Sequence, residues 1–188
     1  MTKLLDKRSA ILDTAMELIG EQGFHNTPMS QIAKQAGVSA GIIYHYFESK
    51  DDLIKELYRE IKVKMTDAIF ADAPAGLTSL ETLRHVWLNA YKFYAAHPRE
   101  TVFLEQYENS PFYKHLTEDF NETAAAFTKQ IHQEMAEGKL ADLPIMVLYS
   151  LTVGVAVSLA KQRIQGIIEP DDAMLEKILD AVCRSVQP

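Results

Sequence analysis

Residues 27–53 read TPMSQIAKQAGVSAGIIYHYFESKDDL, and their punctuation spells out three short helices. Thr27 is placed to N-cap the first, with Pro28 at the first helical position, where a missing N–H costs nothing. Gly37 ends that helix, because glycine enters the left-handed conformation without a Cβ clash. Ser39 is placed to cap a second helix starting at Ala40, and Ser49 with Asp52 three residues on forms a capping box for the third.

Two helices joined by a turn of about four residues containing glycine make a helix-turn-helix unit. Its apolar positions agree. Ile32, Ala33 and Ala36 share one face of the first helix, while Val38, Ile43 and Phe47 point back at it. That leaves Ala40, Ile42, Tyr44, His45 and Tyr46 on the outside of the second helix. The set is short at the helix start and aromatic further along, the shape a helix needs to enter a DNA major groove. Any small helical domain contains such a turn, but a buried hairpin would not place two tyrosines and a histidine on an outward face.

Working outward, 188 residues suit one or two domains with a real core, and 47% hydrophobic with 24% charged residues is ordinary globular composition. The net charge of −7 argues against a nucleic-acid partner at first sight. Residues 1–55, however, hold six Lys/Arg against seven Asp/Glu, a balance of only −1. The acidity lies mostly elsewhere, and phosphate contacts are expected from a few placed cations, backbone N–H groups and hydroxyls. The single cysteine, Cys183, excludes an internal disulfide and sits among apolar residues as a packed thiol. With charges scattered through MTKLLDKRSAILDTAM, no signal peptide is expected there. Leu143–Ala160 lacks charge but carries Pro144, Ser150, Thr152, Gly154 and Ser158, so a helix buried in protein is expected rather than a membrane span. A cytoplasmic location is expected.

The spacing predicts a first helix from about Leu5 to Gly20, with Ile11, Ala15, Leu18 and Ile19 closing the small core and Phe24 plugging it. Lys3, Lys7 and Arg8 lie where an arm reaches phosphates, although a solvated tail is the plainer reading. A long helix over Lys50–Ala71 carries Leu53, Ile54, Leu57, Ile61 and Met65 and serves as a connector. A turn at Ala73–Gly76 follows, then a helix from Thr78 or Ser79 through His97 that is apolar nearly all round and so central. A short helix over Arg99–Asn109, an amphipathic one from Phe112 to Gly138, the apolar helix from Leu143 to about Gln165, and a last helix over Asp171–Val186 complete the chain. No strand alternation, repeat or low-complexity tract appears. The fold class is all-α, about nine helices, with a DNA-binding helix-turn-helix domain over 1–53 and a ligand-binding and dimerisation domain over 54–188.

A helix-turn-helix followed by a larger helical domain resembles the tetracycline-repressor (TetR) family of one-component bacterial regulators. The match is carried by Thr27, Ile32-Ala33, Ala36-Gly37-Val38-Ser39, Gly41, Ile43-Tyr44, Tyr46-Phe47, Ser49-Lys50 and Leu53, about the first third of the chain. The resemblance implies a homodimer that binds double-stranded DNA at a palindromic operator and releases it when a small molecule enters the large domain. Carried over position by position, Thr27 and Tyr44 contact phosphates and Lys50 pairs with another. Ala40, Ile42, His45 and Tyr46 face base edges, with the Gly41 backbone close to DNA and Ser39 at the helix start. Ala40 stands where many relatives have a longer polar side chain, so Ile42 against a thymine methyl and DNA shape are expected to contribute.

In the large domain, Trp87, Tyr91, Tyr94, Phe103, Tyr107, Phe112, Phe127 and Tyr149 lie on the middle helices, with Asn89, Glu105, Gln106 and Asn109 among them. Aromatic residues in a helical core are normally core. Their density with a few polar groups also suits a cavity for a largely apolar or aromatic effector. Ser150, Gly154 and Ser158 form a small-residue stripe that, with Leu175, Ile178, Leu179 and Val182 of the last helix, suits a four-helix dimer interface. Packing inside the chain is the alternative.

An enzyme is the chief rival class. The six histidines lack metal-ligand spacing, and there is no phosphate-binding glycine loop and no nucleophile motif around Cys183. No cofactor and no metal is expected. A second rival is a helical interaction or ligand-binding protein that has lost DNA binding.

Overall fold

The computed structural model describes residues 2–72, 76–110 and 122–188. These form ten helical segments: α1 (Thr2–Gln22), α2 (Met29–Gln35), α3 (Ala40–Tyr46), α4 (Lys50–Phe70), α5 (Ser79–Ala96), α6 (Pro98–Glu108), α7 (Glu122–Ala136), α8 (Ile145–Leu151), α9 (Val153–Ile164) and α10 (Asp172–Ser185). Only Thr152 separates α8 from α9, so the expected apolar helix is present in two pieces. Counted together they restore the expected nine helices, and the all-α class holds among the described residues. The expected turn over 73–75 and the first part of the helix from Phe112 lie outside the described residues.

The chain divides into two compact units. One holds the described residues up to Lys62 together with 99–110, the other residues 63–98 and 122–188. The expected boundary after Leu53 therefore falls inside α4, and α6 joins the helix-turn-helix.

In the first unit, Ile11, Ile19, Ile32, Ile43, Phe47, Leu53 and Ile54 form the sealed core predicted from the three-to-four-residue spacing. Arg8 ties α1 to α4, pairing with Glu56 at 2.7 Å and also with Glu60. Two side chains of α6 reach α1: Gln106 donates to the Gly20 carbonyl at 3.2 Å and Arg99 to the Asp13 carbonyl at 3.2 Å. These bonds explain why α6 sits here.

In the second unit, α5 buries Leu83, Val86, Trp87, Ala90, Tyr91, Phe93 and Tyr94 on one face, while Glu81 and Lys92 on the other are exposed, so the helix is not covered all round as its composition suggested. Its start is a capping box between Thr78 and Glu81, whose carboxyl is held below the usual range by hydrogen bonds from Thr78. Helix α9 packs on α5 through Ala156 and Ala160, whose small side chains permit close approach. Arg84 on α5 forks onto Asp180 and Glu176 of α10, both at 2.7 Å. Asn89 and His85 bind carbonyls at the end of α4, at Ile69, and just beyond it, at Ala71, satisfying acceptors a helix end leaves open.

The stretch Ile145–Ile164 is apolar enough and long enough to cross a membrane by composition. It is broken at Thr152, and Ala156, Leu159 and Ala160 are buried against protein. The break and the burial of α9 are features of a helix packed in a globular unit, but Met146, Val147, Tyr149 and Leu151 are exposed, so the chain does not enclose this helix on all sides as expected.

Candidate nucleic-acid interface

The turn between α2 and α3 is built as its sequence dictates. Gly37 has φ +67°, the Val38 N–H donates to the Ala33 carbonyl at 2.9 Å, and the Gly37 N–H donates to the Lys34 carbonyl at 3.3 Å. This is a Schellman ending, with glycine at the left-handed position. Helix α3 starts at Ala40 behind Ser39, as predicted, but the Ser39 side chain makes no capping bond. The third start is a variant of the predicted capping box. The Asp52 N–H donates to Ser49 Oγ at 3.1 Å, while the Asp52 carboxylate accepts from the Glu48 N–H at 3.1 Å rather than from Ser49.

Thr27 requires correction. It does not cap α2, which begins after Pro28 without a side-chain cap. Instead Thr27 is 0% exposed, and its hydroxyl donates to the Gly23 carbonyl at 2.8 Å. A side chain so enclosed reaches no phosphate. Its spacing before a helix is shared by caps and by loop-closing threonines, so sequence did not separate the two. Two expected cations are also occupied. The Lys50 ammonium donates to the Phe24 carbonyl, and Arg8, expected at a phosphate arm, is held by Glu56 and Glu60 and lies 5.7 Å from the Phe47 ring centroid. Sequence gave no signal for the Arg8 pairs, because no spacing rule links residues 48 apart.

Burial of Ile43 and Phe47 fixes which way α3 faces. Ser39, Ala40, Gly41, Tyr44 and His45 are exposed, Tyr44 by 56%, while Ile42 and Tyr46 are half-buried. The His45 and Tyr46 rings meet edge-on at 5.4 Å. The result is a ridge, small at its start and aromatic beyond, with hydroxyl, imidazole and backbone groups turned to solvent.

The aromatic set divides between the two units. Phe103 and Tyr107 belong to the first unit, where Phe103 meets Phe24 edge-on at 5.9 Å and Tyr107 stacks on Tyr58 at 4.1 Å. They are core of the helix-turn-helix unit, whereas the sequence reading assigned them to the large domain over 54–188. Trp87, Tyr91, Tyr94, Phe127 and Tyr149 lie in the second unit. Trp87 and Tyr91 stack at 6.3 Å, the Tyr94 hydroxyl donates to Met65 Sδ at 3.0 Å, and Phe127 meets Phe70 at 5.9 Å. Tyr149 is 41% exposed, and Phe112 lies outside the described residues.

The expected interface residues also divide. Ser150 and Ser158 are exposed and Gly154 half-buried, alongside exposed Met146, Val147 and Leu151. Leu175 and Ile178 are half-buried. Leu179 and Val182 are buried within their own unit, a correction: the stripe that packs α10 on α5 has the same spacing as one that packs on a second chain. Among the described residues no group of three His, Cys, Asp or Glu side chains could hold a metal.

A family model described as bacterial regulatory proteins, tetR family, matches residues 11–57. A second, described as tetracyclin repressor-like, C-terminal domain, matches residues 80–187. An uncharacterized HTH-type transcriptional regulator of Haemophilus influenzae is 26% identical over 184 residues, 97% of this chain and 96% of that one. The fatty acid metabolism regulator protein of Bacillus subtilis is 29% identical over 163 residues, 87% of this chain and 80% of that one. The crystal structure of a TetR-family transcriptional regulator from Haemophilus influenzae superposes with a TM-score of 0.83 at 26% identity, covering 100% of both chains. The C-terminal model alone spans more than half of the chain, and the N-terminal one falls on the helix-turn-helix. This chain belongs to the TetR family and is a helix-turn-helix transcriptional regulator.

Proposed function

We propose that the protein is a cytoplasmic homodimeric repressor that holds a palindromic operator through α3 and releases it when a small, largely apolar or aromatic effector enters the second unit. The observation that carries this is the α3 ridge. Ala40, Gly41, Tyr44 and His45 stay exposed because Ile43 and Phe47 hold the opposite side in the core. Small residues at the helix start let its backbone approach a duplex, Tyr44 supplies a hydroxyl for a phosphate, and His45 with Tyr46 faces base edges. The half-buried Ile42 has room for little more than a methyl contact.

Dimerisation is supported by the exposed apolar side of α8, where Met146, Val147 and Leu151 flank Ser150. A two-fold dimer presents two α3 helices, and both fit DNA only when their separation matches the half-site spacing. Helix α4 contributes to both compact units and is the natural connector. An effector shifts this equilibrium only by its difference in affinity for the two states. The name of the Bacillus subtilis relative is compatible with an apolar effector.

The engagement of Arg8 and Lys50 within the chain favours a second reading, a helical ligand-binding protein that no longer holds DNA. Selection of bound sequences from a random duplex pool, followed by titration at several salt concentrations, separates the two. A repressor shows a selected palindrome and an affinity that falls with salt with a slope of about −0.9 per phosphate neutralised. Equal, weak binding to every duplex would leave the second reading standing.

A further inference from the structure

Three buried side-chain polar atoms on α5 lack a hydrogen-bond partner among the described residues, and one of them, Ser79 Oγ, lies at the helix start away from the other two. Trp87 Nε1 and the Tyr91 hydroxyl are enclosed in protein and have no hydrogen-bond partner among the described residues. Their side chains are 0% and 3% exposed. Residues 87 and 91 are one helical turn apart, and their rings stack at 6.3 Å with 13° between planes. The two donors are therefore carried on adjacent, parallel rings of one rigid helix. Tyr94, on the same helix, already donates to Met65 Sδ. Arg163 of α9 pairs with Glu169 at 2.8 Å and approaches the Tyr91 hydroxyl as a donor only, so it offers the hydroxyl's own hydrogen no acceptor.

A buried polar hydrogen left without an acceptor is unfavourable, and native proteins carry few of them. Two side by side, with a cation close to one, describe half of a hydrogen-bonded pair whose other half is an acceptor. Mostly apolar walls with a few converging donors are how small-molecule sites fix orientation.

We propose that Trp87 Nε1 and the Tyr91 hydroxyl together bind the accepting oxygen of an otherwise apolar ligand, a carbonyl or carboxylate at the end of a hydrocarbon body. The site rests on the effector reading above and names its polar end. Both donors are covered in the unliganded chain, so the packing over α5 must open for the ligand to enter.

Trp87 is the only tryptophan in the chain, so its fluorescence reports this position alone. The full-length protein is titrated with decanoate, 2-undecanone and decylamine, which offer a carboxylate, a carbonyl and a donor-only ammonium on similar hydrocarbon bodies. A saturable change with decanoate or 2-undecanone, at least tenfold weaker with decylamine, is expected. Tyr91→Phe removes one hydrogen bond to the ligand and weakens the favoured probe by about tenfold. Because no acceptor among the described residues takes the hydroxyl's hydrogen, the same variant melts at or above the wild-type temperature. No saturable change with either acceptor probe, equal binding of decylamine, unchanged affinity in Tyr91→Phe, or a Tm lowered by that variant each overturns the proposal. Duplex binding measured on the same samples keeps the two readings apart, since its salt dependence survives if only the acceptor site is wrong.

Discussion

The rings of Tyr58 on α4 and Tyr107 on α6 stack at 4.1 Å, with 16° between their planes. Tyr107 is wholly enclosed, and burial pushes its phenol up to about 12, opposed in part by the Arg59 charge. The folded phenol thus ionises above the ordinary value near 10 found in an unfolded chain. Its contribution to stability is complete below pH 10 and is lost as pH rises towards 12, because only the unfolded state releases the proton across that window. The loss is on the order of 2 kcal/mol for a shift of that size. Phenolate absorbance followed against pH should show a late step to which Tyr107 contributes, and Tyr107→Phe should reduce that step by one phenol.

How far this was legible in the sequence depends on the range of each interaction. The α2–α3 turn was readable because Gly37, Val38 and Ala33 satisfy one another within six residues. The direction of α3 followed from Ile43 and Phe47, which periodicity alone assigns to the core. What stayed hidden was long-range pairing. Gln106 reaches Gly20 across 86 residues and Arg8 reaches Glu56 across 48, and no local rule announces either. Those bonds moved Phe103 and Tyr107 into the first unit and occupied the cation expected at phosphate. Buried stripes were ambiguous for a different reason. Leu179 and Val182 have a spacing that suits an internal helix pair and a dimer equally.

The exposed ridge makes a prediction that separates stability from recognition. Tyr44→Ala and His45→Ala each remove a solvent-facing side chain, so their stability should change by no more than about 0.5 kcal/mol. Their affinity for the selected operator should fall about tenfold or more, the scale of one lost polar contact to DNA. Thermal melts and duplex titrations on the same preparations check both halves. Wild-type affinity in both variants would remove α3 from the reading surface.

Thr27 gives the reverse pattern. Its hydroxyl holds the Gly23 carbonyl inside the loop between α1 and α2, and Gln22 Nε2 approaches it at 3.4 Å. Thr27→Val keeps the shape and deletes the donor, leaving a half-buried acceptor without it, at about 1 kcal/mol of stability. Operator affinity of the folded variant should stay within about twofold of wild type, since no phosphate contact is lost. A stable variant with weak DNA binding would restore Thr27 to the interface.

Gly154 joins the break between α8 and α9 to the proposed dimer face, and substitution can tell the two roles apart. Replacing a helical glycine by alanine ordinarily stabilises by about 1 kcal/mol. Here a Cβ would lie 3.2 Å from the Tyr149 carbonyl oxygen and 3.8 Å from its carbon, atoms of backbone that cannot swing aside as a side-chain end does. The same turn is held by the Thr152 hydroxyl, which donates to the Leu148 carbonyl at 2.6 Å. The chain must then either reopen the break or accept the crowding, and the usual gain should turn into a loss of about 1 kcal/mol. Gly154→Ala should therefore lower Tm by a few degrees while light scattering still reports a dimer, because one methyl group is tolerated at a helix interface. Gly154→Trp is the companion measurement. A monomer places Gly154 between the two copies, a dimer confines its role to the break, and an alanine variant that melts higher than wild type would show that the Tyr149 carbonyl does not set the requirement for glycine.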